Sequence, residues 1–82
     1  MSLERRETEL RTTQTLLREL RQQAELTQQE MAARLGTPQS FVSKYEAGTR
    51  RLDIFELRRV LAALEMPLDE FIRLLDERVP LQ

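Results

Sequence analysis

The segment from Thr27 to Gly48, TQQEMAARLGTPQSFVSKYEAG, limits the fold more than any other part of the chain. Thr27 and Glu30 have capping-box spacing: a threonine oxygen accepts from the third helical amide while the carboxylate reaches back to the cap. A helix is expected over about Gln28 to Leu35, with Met31, Ala32 and Leu35 on its inward face. Gly36 tolerates the left-handed conformation that stops a helix, and Thr37 with Pro38 supplies a fresh N-cap and a first-turn proline. A second helix follows from about Pro38 to Glu46, with Val42 and Tyr45 inward and Gly48 as its stop. So short a joint sets the two helices at a steep angle and projects the first turns of the second outward. Ala32 is small enough to let them approach, whereas a larger side chain would overpack the crossing at about 1 to 3 kcal/mol.

The rest of the chain is helical on the same evidence. Leu3, Leu10, Leu17 and Ala24 recur every seven residues, and Leu16 and Leu20 broaden the stripe. An amphipathic helix is expected from about Glu7 to Ala24, with Leu16, Leu17 and Leu20 packing on the later helices. Residues 1–12 form an extension that either frays or packs on a partner. After a short basic loop of Thr49, Arg50 and Arg51, Asp53 and Glu56 repeat the cap pattern and start a helix at about Ile54. Leu57, Val60, Leu61 and Leu64 give it a core face, and Pro67 divides it from a last helix carrying Leu68, Phe71, Ile72 and Leu75. Pro80 closes that helix. Five helices, no strand signal and short connections indicate one compact all-α domain spanning 1–82, a five-helix bundle around a central helix-turn-helix.

Composition narrows the chemistry. The 82 residues contain no cysteine and no histidine, so disulfides, thiolate nucleophiles, imidazole bases and the usual zinc ligands are unavailable. The adjacent carboxylates Asp69 and Glu70, or Asp76 and Glu77, diverge on a helix and do not form a convergent acid and base pair. No enzyme activity and no cofactor are expected. No apolar run approaches the roughly 20 residues that span a bilayer, and MSLERRETEL lacks the apolar core of a signal peptide. A cytoplasmic location without membrane contact is expected. The formal net charge is only -1, but it is unevenly spread. From Gln28 to Arg51, Arg34, Lys44, Arg50 and Arg51 outnumber Glu30 and Glu46, whereas five carboxylates face Arg73 and Arg78 from Glu65 onward. One end suits phosphates and the other repels them.

The runs LTQQEMAARLG and TPQSFVSKYEAGTRRLD resemble the Cro and phage-repressor type of helix-turn-helix domain, the xenobiotic-response-element family. The resemblance extends from about Leu16 to about Leu75 and is carried by Thr27-Gln28, Ala32, Gly36, Val42 and Glu46-x-Gly48. It implies a lambda-repressor-like fold that binds double-stranded DNA with its second motif helix. Gln39, Ser40, Ser43 and Lys44 match the family's base-contacting positions. Their chemistry suits the task, since glutamine pairs with adenine N6 and N7 and lysine with guanine O6 and N7. Gln28 matches a phosphate clamp at a helix N-terminus, and Thr37, Arg50 and Arg51 are expected on the DNA backbone too. Phe41 either touches a thymine methyl or sugar or lies against the loop after the helix as peripheral core. Arg21 and Glu46 match a structural ion pair that ties the first helix to the end of the recognition helix. Two residues depart from the pattern: Glu25 stands where a small turn residue is common, and Leu52 where proline often follows the loop.

A domain this small reads few base pairs, so a homodimer on half-sites one helical turn apart is expected. Phe71, Leu74, Leu75 and Val79 are the expected dimer surface, because large apolar residues accumulate at the C-terminus. The function expected is sequence-specific transcriptional regulation, as a repressor or autoregulator on a palindromic operator. The alternative is an antitoxin or adaptor whose acidic C-terminal helix holds a protein partner.

Overall fold

The computed structural model describes residues 2–81 as five helices: α1 (Leu3–Gln23), α2 (Gln28–Leu35), α3 (Gln39–Ala47), α4 (Ile54–Ala63) and α5 (Leu68–Arg78). α2 packs on α3 and α4, and α1 runs along α3 and α5. The core gathers Leu16, Leu17 and Leu20 of α1 with Met31, Val42, Tyr45, Val60, Leu61 and Phe71. Ala32 is buried, as its small size at the α2–α3 crossing requires.

Three expectations about the elements need correction. α1 begins at Leu3, four residues earlier than the sequence suggests, because Ser2 caps it by accepting from the Arg5 amide. Residues 1–12 are therefore not a frayed extension where they are described. Arg5 donates to the Pro80 carbonyl near the start of α1 and Arg78 to Glu19 near its other end, so the chain's own C-terminal segment is tied to α1 at two places. The seven-residue repeat also overstates the core. Leu17 is buried, but Leu3 is 78% exposed and Ala24 is exposed, since a straight helix drifts by about 20° per heptad and carries the stripe off the face. Finally, Thr37 does not cap α3. Pro38 takes that position without a side-chain bond, while the Thr37 amide donates to the Ala32 carbonyl and Gly36 to Ala33. These bonds make a Schellman stop for α2 around Gly36 at φ 69°, so Thr37 belongs to the end of α2.

The same stop recurs where the sequence has no glycine. Glu25 (φ 60°) ends α1 and Glu65 (φ 55°) ends α4, with Leu26 donating to the Arg21 carbonyl and Met66 to Leu61. The turn from Ala24 to Leu26 thus keeps its geometry despite Glu25, at the cost of left-handed strain in an L-residue.

Candidate DNA-binding surface

The surface is built outward from a buried ion pair. Arg21 reaches from the last turn of α1 to Glu46 in the last turn of α3, with Nε donating to Oε2 at 2.7 Å and Nη2 to Oε1 at 3.0 Å. Its Nη1 donates to the Leu26 carbonyl at 2.7 Å, which also secures the turn after α1. The Glu46 side chain is wholly buried. Hydrogen bonding to Glu46 raises the Arg21 pKa above its ordinary value, against an opposing effect of burial. A second guanidinium, Arg18, lies 3.6 Å from Glu46. It was missed in the sequence, although its place three residues before Arg21 puts it on the same helical face.

From Glu46 the network runs to the surface. Gln28 Nε2 donates to Glu46 Oε1 at 3.1 Å, and Gln39 Nε2 donates to Gln28 Oε1 at 2.8 Å. The polarity of this chain follows from its buried end. A carboxylate only accepts, so Gln28 must turn its NH₂ inward and its carbonyl toward α3. Gln39 must then present NH₂ to that carbonyl, which leaves its own carbonyl and one N–H for a base edge. The ion pair thus fixes both the position of α3 and the way its first side chain faces.

Of the other expected base-contacting residues, Ser40 and Lys44 are exposed and Ser43 is half-buried. Phe41 is half-buried too: its ring meets Tyr45 edge-on at 5.5 Å, and the Arg50 guanidinium sits 4.8 Å over it. That places Phe41 against the loop after α3, the peripheral-core arrangement. Arg50 is further held by Glu56, with bonds of 3.1 and 2.7 Å, whereas Arg51 is exposed and makes no ion pair with any described residue. Arg34 donates to the Ala63 carbonyl at the end of α4.

Two expected site residues do not lie where a binding role needs them. The Thr37 hydroxyl is enclosed and has no hydrogen-bond partner, so it is not presented to a phosphate. Phe71 is fully buried in the monomer core and offers nothing to a second chain. The apolar side chains that α5 does expose are Leu68 and Ile72, while Leu74, Leu75 and Val79 are half-buried.

Two helices at a tight joint, the second exposing polar side chains along its first turns, define a helix-turn-helix domain of DNA-binding transcription regulators. The chain belongs to the helix-turn-helix family, of the Cro and phage-repressor type: the family model described as "Helix-turn-helix" matches residues 17–71. A solved structure, an XRE-family like protein from Pseudomonas syringae pv. tomato str. DC3000, is 37% identical, superposes with a TM-score of 0.84 and matches over 92% of each chain. No curated protein matched the chain. None of the described helices is long and apolar enough to cross a membrane.

Proposed function

We propose that this chain is a cytoplasmic repressor or autoregulator that occupies a palindromic operator as a homodimer. The observation that carries the reading is the hydrogen-bonded line from Glu46 through Gln28 to Gln39, which orients a glutamine amide at the head of α3. Gln39, Ser40, Ser43 and Lys44 read base edges in the major groove. Gln28 and the N-terminus of α2 take one phosphate and Arg51 another, with Arg50 contributing from its place over Phe41. Leu74, Leu75 and Val79, joined by the exposed Leu68 and Ile72, supply the apolar part of the self-complementary surface.

A second reading rests on α5, whose Asp69, Asp76 and Glu77 are exposed beside Ile72. An antitoxin or adaptor would hold a basic protein partner there. Selection of bound duplexes from a random pool, followed by fluorescence anisotropy on the winner at several salt concentrations, separates the two. A palindromic winner with half-sites about 10 base pairs apart supports the dimeric operator reading. An asymmetric winner removes the dimer, and absence of enrichment turns the assignment to the adaptor.

A further inference from the structure

A crevice of about 170 Å³ opens between α1, the C-terminal end of α3 and the loop leading into α4. Its apolar lining comes from Leu10, Leu17, Leu52 and Leu57, and Tyr45 adds a phenol. The charged residues around it are Arg6, Arg50 and Arg51, and no carboxylate lines it. Arg50 is occupied by Glu56, but Arg6 and Arg51 make no ion pair with any described residue. The Tyr45 hydroxyl makes no hydrogen bond with a described residue either, and burial pushes its pKa upward, so it remains a donor at physiological pH.

We infer that this crevice is a binding site for a small apolar monocarboxylate, and that its occupancy weakens DNA binding. The volume sets the size of the body, since a cavity of about 150 Å³ accommodates a benzene ring. The lining sets the chemistry: an apolar interior takes the ring or short chain, and two unpaired guanidiniums at the mouth take the carboxylate. A cationic ligand meets three arginines and no acceptor carboxylate, and a fully polar anion leaves four leucines uncovered. The regulatory half rests on the operator reading. Arg51 is both a mouth residue of the crevice and a proposed phosphate contact, so a carboxylate that engages it neutralises charge next to the DNA. Binding of the two ligands is then mutually antagonistic by linkage.

Benzoate serves as the probe, with the full 82-residue chain. Titration followed by amide resonances is expected to give saturable shifts at Leu10, Leu17, Leu52 and Leu57. Acetate, which has the charge without the body, and benzyl alcohol, which has the body without the charge, should each bind about tenfold or more weakly. Arg6→Gln changes an exposed side chain outside the proposed DNA contacts, and should weaken benzoate about tenfold while leaving the melting temperature and operator affinity of the free protein unchanged. Shifts that do not saturate, or that are equal for acetate or for Arg6→Gln, overturn the site. Benzoate at a concentration that just saturates the parent is expected to lower operator affinity about fivefold or more, and the same concentration should do so only weakly in Arg6→Gln, which it occupies in part. Benzoate binding with unchanged operator affinity overturns the antagonism. The resonance experiment contains no DNA, so a chain that bound no operator would refute the operator reading and leave the crevice to be judged separately.

Discussion

Gln39 donates to Gln28 across the turn at 2.8 Å, which joins the first side chain of the recognition helix to the first side chain of the helix before it. A division of labour in which Gln39 reads a base and Gln28 independently holds a phosphate is therefore too simple. Removing Gln28 also frees the Gln39 amide to rotate, and removing Gln39 leaves Gln28 oriented only by Glu46. In a double-mutant cycle on the selected operator, Gln28→Ala and Gln39→Ala should be coupled by about 0.5 to 3 kcal/mol, the double variant losing less than the sum. Each single change should also blur preference at the same base position. Additive losses, with specificity altered by Gln39→Ala alone, would restore the independent roles.

The buried end of that line is the more sensitive one. The Arg21 side chain is 11% exposed and that of Glu46 not at all, so removing Glu46 leaves the Arg21 guanidinium without a carboxylate in a dry site, whereas removing Arg21 leaves Glu46 only the more exposed Arg18. Glu46→Ala should cost about 3 to 5 kcal/mol in urea unfolding, a large share of the total for a domain this size. A loss below about 1 kcal/mol would mean that the site behaves as an exposed pair. Arg21→Ala should cost more than its pairing alone suggests, because the Leu26 carbonyl loses its donor too.

The two arginines after α3 should separate in a salt titration. Arg50 is neutralised by Glu56 and stacked on Phe41, whereas Arg51 has no partner among the described residues. Arg51→Gln should reduce the magnitude of the log-affinity against log-salt slope by about 0.9, the value for one phosphate contact. Arg50→Gln should reduce it by less. Equal slopes would show that DNA pulls Arg50 away from Glu56.

Much of this arrangement is written in local signals. The capping boxes at Thr27 and Asp53 both form as spaced in the sequence, because a box needs only residues three apart. The inward Val42 and Tyr45 follow from helical periodicity and are buried. What escaped the sequence depends on which surface lies opposite. Phe71 lies on the same stripe as Leu75, yet only the packed fold shows that the core absorbs Phe71 entirely and leaves Ile72 at 42% exposure. Arg18, Arg34 and Arg50 count alike in a charge tally, but tertiary partners turn the first toward Glu46, the second toward a helix end and the third onto an aromatic ring. Thr37 misled for a different reason. Threonine before proline fits a helix start, and only the bond from its amide to Ala32 shows that it completes a helix stop instead.

Acid should weaken the fold through the same capping boxes. Hydrogen bonds from the Thr27 amide and hydroxyl lower the Glu30 pKa below 4.5, and the Arg50 guanidinium with the Asp53 amide does the same for Glu56. A carboxylate whose folded pKa is depressed stabilises above its unfolded value and loses that contribution as pH falls through the folded one. The variant Glu30→Gln with Glu56→Gln should thus be less stable than the parent at pH 7, and the gap should shrink below pH 4.5. Denaturant unfolding at neutral and acid pH checks this, and a gap independent of pH would assign the effect to packing.

Glu25 and Glu65 are where stability is most easily gained. Each holds a left-handed backbone, at φ 60° and 55°, which costs an L-residue about 1 to 2 kcal/mol. Each also places a carboxylate at a helix C-terminus, where the dipole disfavours negative charge. Glycine removes both penalties but gives back part of the gain through the larger entropy of the unfolded chain. The net for Glu25→Gly or Glu65→Gly should be about 0.5 to 1 kcal/mol, or a few degrees in melting temperature. The reverse substitution supplies the control. Gly36 has the same backbone sign at φ +69°, and a Cβ there would meet nothing within 4 Å, so Gly36→Ala should lose stability through strain alone. Gly48→Ala should lose a similar amount, since the atoms its Cβ would approach at 2.8 Å are the amide end of the Gln14 side chain, which can swing aside, and the left-handed strain at φ +85° remains. If Glu25→Gly and Gly36→Ala moved the melting temperature in the same direction, left-handed strain would not be what governs these turns.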